Sequence, residues 1–327
     1  MLKWTSLILL WTTSLVAANA QIDQSKVDQF IRDFSKIQNR SIDEVQIIIG
    51  QAEYIPGIIE KMNRPAEKMT WERYRKIFIQ EDRINAGVQF WSDHESTLNQ
   101  VYDQTGVAKE IILGIIGVES KFGQNKGTYK VLDALYTLAF AYPRRGSFFR
   151  KELSEFLILC EEESLNPLSI KGSYAGAIGF GQFMPSSYRA YAKSFDEGGT
   201  RDLVNSPEDA IASTASYLDV HRWETDGIVA IAAKQLNNAL DLSKQSLKPK
   251  NTLAYYEKQG YQAVSSISKS ESVTLIQLEI SDGFEYWFGA NNFYVITRYN
   301  HSPLYAMAVY QLAEAIKEKR QSASGTF

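Results

Sequence analysis

The 327-residue sequence is poor in the side chains that carry most metal and redox chemistry. It has one cysteine, Cys160, and three histidines, His94, His221 and His301. A single thiol cannot form a disulfide within the chain, and four scattered side chains do not make a Cys/His zinc site. Neither sign of charge is in excess: 35 Lys and Arg stand against 38 Asp and Glu, a formal net charge of −3. Without a basic footprint or a run of like charge, nucleic acid is excluded as a partner. Beyond the first twenty residues no apolar run reaches transmembrane length. What is present is a globular composition, 44% hydrophobic and 22% charged. Any chemistry must come from carboxylates, hydroxyls, amides and aromatic rings. At roughly 150 residues per domain, the length suggests about two domains.

Met1-Leu2-Lys3 makes a short positive start, Trp4 to Val16 is mostly apolar, and Ala18-Asn19-Ala20 has the small-x-small cleavage pattern. This predicts a signal peptide over residues 1–20, cut before Gln21. A lipid anchor at that site would need a cysteine there, and the only cysteine is Cys160. The product is expected to be exported and soluble, with Cys160 buried beside Leu157, Ile158 and Leu159.

Periodicity then predicts a mainly helical chain. Val27 to Ile37 is amphipathic, and Ser41 with Glu44 has capping-box spacing. One long helix is expected from Thr70 to about Thr97, and others over 107–121, 131–141, 147–163, 185–194 and 207–222. After about residue 270 the texture changes. Val273 to Ile280 alternates, Ser281-Asp282-Gly283 signals a turn, and Phe284 to Phe288 and Phe293 to Tyr299 read as further antiparallel strands. Ser302-Pro303 opens a last helix to about Lys319. The expected class is mainly α (α+β). Its parts are a helical domain over 21–100 joined by the C-terminal helix 303–320, a core over 101–230, a linker and small β domain over 231–302, and a frayed tail over 321–327.

Glu119 is the strongest candidate for chemistry. It lies near the C-terminal end of VAKEIILGIIGVESK (107–121), and Ile111, Ile112 and Ile115 share its face. An apolar face disfavours the charged carboxylate, and the negative end of the helix dipole acts in the same direction. Both would keep a proton on Glu119 towards neutral pH, as a general acid requires. Read from this helix alone, Glu119 is equally an inert glutamate at a helix end. GSYAGAIGFG (172–181) is neither a dinucleotide fingerprint nor a nucleophile elbow. It is either a wall where backbone approaches a ligand or a place of close helix packing. Arg144 and Arg145 suit an anion or a solvated loop. Tyr299 and Asn300 suit a sugar or ordinary packing and capping. SFDEGGTRDLVN (194–205) carries Asp196 and Asp202 at calcium-loop positions, but Ser194, Gly198 and Asn205 stand where a strong loop has acidic ligands. Weak calcium binding or none is expected there, and no other cofactor.

Taken together, five stretches resemble the B-type lytic murein transglycosylases: IILGIIGVESKFG (111–123), LDALYTLAFAYPRRG (132–146), LNPLSIKGSYAGAIGFGQFMPSSY (165–188), SPEDAIASTASYL (206–218) and FYVITRYNHSPLYAMAVYQL (293–312). The match is collinear from about Trp71 to Leu312. The resemblance implies a lysozyme-like catalytic core in which Glu119 is the one catalytic acid and base. It would cleave the bond between N-acetylmuramic acid and N-acetylglucosamine without water, leaving a 1,6-anhydromuramyl end. It implies that Ser173 orients Glu119, that Gln182, Phe183 and Met184 line the groove, and that Arg144 and Arg145 lie near the peptide-bearing sugar. Tyr74, Tyr217, Tyr299, Asn300 and Tyr305 look like sugar-site residues. Phe148 replaces the tyrosine expected at its position.

The expected activity is therefore that of a periplasmic, monomeric enzyme acting on peptidoglycan glycan strands, alongside cell-wall synthesis or secretion machinery. The alternatives are a muramidase that admits water to the same bond and a murein-binding module without catalysis.

Overall fold

The computed structural model describes residues 22–63, 69–196, 198–236, 239–241, 245–323 and 325. The expected signal peptide, and part of the expected linker and tail, lie outside these.

The chain opens with α1 (Gln24–Gln38), α2 (Ile42–Ile49) and α3 (Pro56–Met62). Asp23 caps α1 by accepting from the Lys26 amide, and Val27, Phe30, Ile31 and Phe34 form its buried face. Ser41 is the N-cap of α2, but its side chain makes no capping bond. Next come α4 (Trp71–Phe78), α5 (Glu81–Asp93) and α6 (Glu95–Thr105). The single helix expected over 70–97 is thus three. Nothing in the local sequence forces the first break. Arg83 reaches back from α5 to donate to the Ile77 carbonyl, which relieves an orphan acceptor at the end of α4, and to the carbonyl of Gly117. A second break falls at His94, which leaves helical geometry and pairs with Glu208.

The centre of the molecule is α7 (Lys109–Ser120), which ends on Lys121 in the left-handed conformation. Strand β1 (Tyr129–Lys130) leads into α8 (Val131–Ala141) and α9 (Gly146–Glu162). A two-residue strand, β2 (Lys171–Gly172), pairs with β1, and α10 (Pro185–Tyr191) and α11 (Pro207–Val220) follow. The expected helices over 107–121, 131–141, 147–163, 185–194 and 207–222 all exist, with ends shifted by a few residues.

The late sheet comprises β3 (Ala230–Gln235), β4 (Asn251–Thr252), β5 (Tyr261–Ala263), β6 (Ser272–Ile280) and β7 (Gly283–Gly289), with α12 (Leu253–Lys258) between β4 and β5. It is antiparallel in the order β4-β6-β7-β3-β5. One face joins Val273, Leu275 and Phe288 to Tyr256 and Tyr261 in a small core of its own. The other sends Ile276 and Leu278 into the main helical core.

The stretch Phe293 to Tyr299, expected as a strand, is the helix α13 (Asn291–Tyr299). Its β-branched and aromatic residues favour strands only where they meet a pleated surface. Here the buried Asn292 amide bonds to the carbonyls of Glu224 and Gly227 and accepts from the Glu224 amide, and this anchors a helical start. The last helix, α14 (Pro303–Ala323), runs into the expected tail. It packs along α7, α5 and α4. Gly114 permits this: a Cβ there would lie 2.5 Å from the Val309 carbonyl oxygen of α14. Among the described residues no helix is long and apolar enough to cross a membrane.

Candidate active site

Glu119 projects from the last turn of α7, whose Ile111, Ile112 and Ile115 are buried. The turn beyond it is tightly held. Ser120 Oγ donates to the Ile116 carbonyl and accepts from the Gly123 amide at 2.9 Å. Lys121 and Phe122 both adopt positive φ, uncommon for residues with side chains, and the Asn125 amide closes the turn onto the Ser120 carbonyl. Lys121 Nζ pairs with Asp82. The α7 terminus is therefore a rigid mount for the carboxyl group.

The Glu119 carboxyl accepts one hydrogen bond, from the Tyr305 hydroxyl to Oε1 at 2.7 Å. Burial pushes its pKa up to about 7, while the Tyr305 bond acts in the opposite direction by favouring the ionised form. Among the described residues no second charged group bears on it. Burial, and next the Glu119 charge, push Tyr299 and Tyr305 well above the ordinary phenol value, so both remain protonated donors.

An aromatic wall rises behind this pair. The Tyr299 and Tyr305 rings stack at 6.5 Å with an interplanar angle of 10°. Tyr299 donates to the Gly181 carbonyl at 2.6 Å, and Tyr217 donates to the Arg298 carbonyl at 2.6 Å. Phe183 meets Tyr299 edge-on at 5.5 Å, and Tyr217 meets Tyr299 at 4.8 Å. Gly181 must lack a side chain, because a Cβ would come 2.7 Å from the Tyr299 hydroxyl. One half of the glycine-rich stretch thus serves close approach of an aromatic residue that contacts the site. Gln182, in the left-handed region, points its amide at the Lys126 and Gly179 carbonyls. Met184 caps α10 and is half-buried. Tyr74 stacks on Trp71 and is close enough to Tyr305 to act on its proton affinity. Asn300 is exposed between α13 and α14.

Ser173 and the arginine pair lie as follows. The hydroxyl of Ser173 accepts from the amides of Ala175 and Ala177 and so organises its own turn. The hydrogen bond that holds Glu119 comes from Tyr305 instead. Arg144 and Arg145 are exposed beyond α8, with Arg145 over the Phe148 ring at 4.3 Å. The residue that pattern reading missed is Arg83, which supports the α7 terminus and has no local signal, since it acts across a long sequence separation.

The chain matches the model of the transglycosylase SLT domain over residues 22–314. It belongs to that transglycosylase family. It is 40% identical over 283 residues to membrane-bound lytic murein transglycosylase B of Escherichia coli strain K12, covering 84% of this chain and 77% of that one. Its structure is similar to that of soluble lytic transglycosylase SltB1 from Pseudomonas aeruginosa, with a TM-score of 0.85, 42% identity, and coverage of 90% of this chain and 99% of that one. SltB3 from the same organism, described in complex with NAG-NAM-pentapeptide, gives a TM-score of 0.80 at 26% identity, covering 90% of this chain and 79% of that one. The lysozyme-like architecture expected from the motifs is thereby shown.

The E. coli lytic transglycosylase Slt35 has been determined in complex with calcium; in this chain the carboxylates of Asp202 and Asp209, in and beside the loop over 194–205, are engaged by the protein itself. Both Asp209 oxygens accept backbone amides, from Phe195 at 2.9 Å and from Asp202 at 2.7 Å. The Asp202 carboxylate is engaged by the Val204 and Asn205 amides and by the Asn205 side chain. Ser194 donates to the Asp196 carbonyl. A calcium ion takes about six to eight oxygen ligands. Among the described residues no cluster of three or more acidic, His or Cys side chains could hold a metal.

Proposed function

We propose that the protein cleaves the MurNAc-β-1,4-GlcNAc bond of peptidoglycan without water, with Glu119 acting first as acid and then as base. The observation that carries this reading is the Glu119 carboxyl, pushed up to about 7 by burial and bonded to one phenol. A group with that proton affinity is matched to donating and accepting a proton near neutral pH. Protonated Glu119 gives its proton to the glycosidic oxygen as the C1–O bond breaks. The resulting carboxylate takes the proton of the muramyl C6 hydroxyl as that oxygen bonds to C1. The 1,6-anhydro ring closes, and Glu119 is left protonated for the next cycle. The Tyr305 hydroxyl steadies the carboxylate between the two transfers.

The wall of Tyr299, Tyr217 and Phe183 suits sugar rings, with Gln182, Met184, Asn300, Tyr74 and Ser173 contributing contacts along the strand. Arg144 and Arg145 would meet carboxylates of the stem peptide. Among the described residues no second charged group acts on Glu119, which favours this route over two-carboxylate hydrolysis. The carboxyl and phenol supply the whole proton path, so no cofactor is assigned. The pattern of residues 1–20 supports export to the periplasm, where cell-wall synthesis or secretion machinery would be its neighbours.

Mass spectrometry of products from purified sacculi tests the reading. Wild-type protein should release anhydromuropeptides, and Glu119→Gln should not. Reducing muropeptides, heavier by one water, would identify a muramidase. Sedimentation with murein and no soluble product would identify a binding module.

A further inference from the structure

The loop over 194–205 has the spacing of a calcium loop, yet a side chain of the protein closes it. That side chain is Arg201, at the eighth position of the loop. Its amide and its Nε both donate to the Glu163 carboxylate, at 2.9 Å and 2.6 Å, and Nη2 pairs with the same carboxylate. Glu163 caps the end of α9 with its side chain only 7% exposed, so this carboxylate depends on the arginine for a partner. Arg201 Nη1 donates to the Arg189 carbonyl of α10 at 3.3 Å. One guanidinium thus joins the loop to α9 and to α10.

The braced loop bears on the groove beside Glu119. The Arg201 carbonyl accepts from the Tyr188 hydroxyl, which in turn accepts from the Leu203 amide at 3.0 Å. The Leu203 carbonyl accepts from the Phe180 amide at 3.0 Å, and the next residue, Gly181, accepts from Tyr299. Gly179 lets the two segments meet: a Cβ there would lie 2.0 Å from the Leu203 carbonyl oxygen. A second link runs through Lys126. Its Nζ donates to the Val204 carbonyl at 2.6 Å, and its own carbonyl accepts from the Gln182 side chain at 3.2 Å.

We propose that the Glu163–Arg201 pair does the work of a loop cation in this protein: it fixes 194–205 without metal, and the fixed loop holds Phe180 to Phe183, and with them Tyr299, in place along the groove. Arg201 is then a positioning residue for the sugar strand, which rests on the reading of the protein as a peptidoglycan enzyme. A calcium ion needs about six to eight oxygens free to turn towards it. Ser194 and Gly198 bring no carboxylate, and those of Asp202 and Asp209 are taken up by backbone amides. Among the described residues of the loop this leaves the Asp196 carboxylate, which by itself does not fill such a shell. The positive charge comes instead from a side chain that no chelator removes. Arginine suits the task because its planar fork meets a carboxylate at more than one point.

Melting curves and steady-state rates on purified glycan strands test this with the full protein. The Tm of wild-type protein should stay within about 1 °C, and its rate within about twofold, when EDTA or millimolar calcium is added. Arg201→Gln and Glu163→Gln should each lower Tm by about 5 °C. Each should also raise KM about fivefold, with kcat within about twofold and the pH–rate profile of Glu119 in place. Arg201→Lys keeps the charge and should recover part of the lost affinity. A wild-type Tm that rises by several degrees with calcium, or falls with EDTA, overturns the proposal even if the variants fail to fold, because a metal then holds the loop. A loss confined to kcat at unchanged KM also overturns it, since that marks a smaller folded fraction and an undisplaced wall. Unchanged Tm and KM in both glutamine variants would do the same. Failure of wild-type protein to form anhydro products would instead defeat the reading of its activity, and the melting curves would still decide what holds the loop.

Discussion

Glu119, half-buried at the end of α7, and Glu152, buried on α9, are both glutamates set against helical packing, and the protein treats them in opposite ways. Glu152 is 2% exposed on α9, and both its oxygens are occupied, by the Ser186 amide at 3.0 Å and the Ser186 hydroxyl at 2.7 Å. It thereby satisfies the start of α10, where backbone amides have no helical partners. Asp209 does the same for the loop over 194–205. Each of these carboxylates has donors built around it and serves as a cross-link. Glu119 has an apolar helix behind it and one phenol beside it. A buried carboxylate surrounded by dedicated donors is structural. One left short of donors keeps its proton within reach and is available for chemistry.

The sharpest way to break this contrast is to remove each carboxylate. Glu119→Gln should lower the rate of anhydromuropeptide release by about a thousandfold or more, within the range of general acid–base catalysis. A chromatographic assay on sacculi reads this, and a loss below tenfold would place the catalytic acid elsewhere. Glu152→Leu should act on stability instead. It leaves the Ser186 amide and hydroxyl without their partner and should cost about 2–4 kcal/mol in urea unfolding. The folded fraction should still turn over substrate at low temperature.

Stability against pH sharpens the same contrast. Below the ordinary carboxyl value, Glu119 is protonated in both folded and unfolded states and contributes no difference. As pH rises from about 4.5 to about 7, the unfolded state releases its proton first, so stability falls, and above about 7 the penalty is complete. It is on the order of a few kcal/mol at full size. Glu119→Gln removes it, so the Tm of this variant should gain on wild type between pH 5 and pH 8. A constant difference across that range would contradict the raised pKa.

The smallest effect is expected at Tyr305. Its hydroxyl favours the ionised carboxylate, so Tyr305→Phe should raise the Glu119 pKa further. The alkaline limb of the pH–rate profile, where the initial acid is lost, should then move to higher pH, with a roughly tenfold or smaller drop in kcat. A limb that moves down or stays in place would remove Tyr305 from the proton path.

Much of this was legible in the sequence. The helix α7 and its glutamate could be read from four isoleucines and a terminal glycine, because burial follows period when one face is apolar throughout. The break between α4 and α5 could not, since Phe78 to Glu81 contains neither glycine nor proline and the decision rests on Arg83 meeting Gly117. The helical state of Phe293 to Tyr299 was likewise hidden. Its residues prefer strands on average, and only the anchoring of Asn292 against Glu224 and Gly227 reverses that preference. At the site, the types of side chain could be read but not the pairs. Tyr305 lies 186 residues from the carboxyl it holds, and Ser173 turns its hydroxyl to its own loop.

With a single cysteine, three scattered histidines and balanced charge, the sequence by itself determined which chemistry was open to this protein: proton transfer by a carboxylate, without a Cys/His metal site. The tertiary structure decided which carboxylate keeps its proton towards neutral pH. Proton affinity depends on what surrounds a group in space, and the surroundings of Glu119 are assembled from α7 and α14. These two helices lie close enough for Tyr305 to reach Glu119 because Gly114 leaves room for the backbone at Val309.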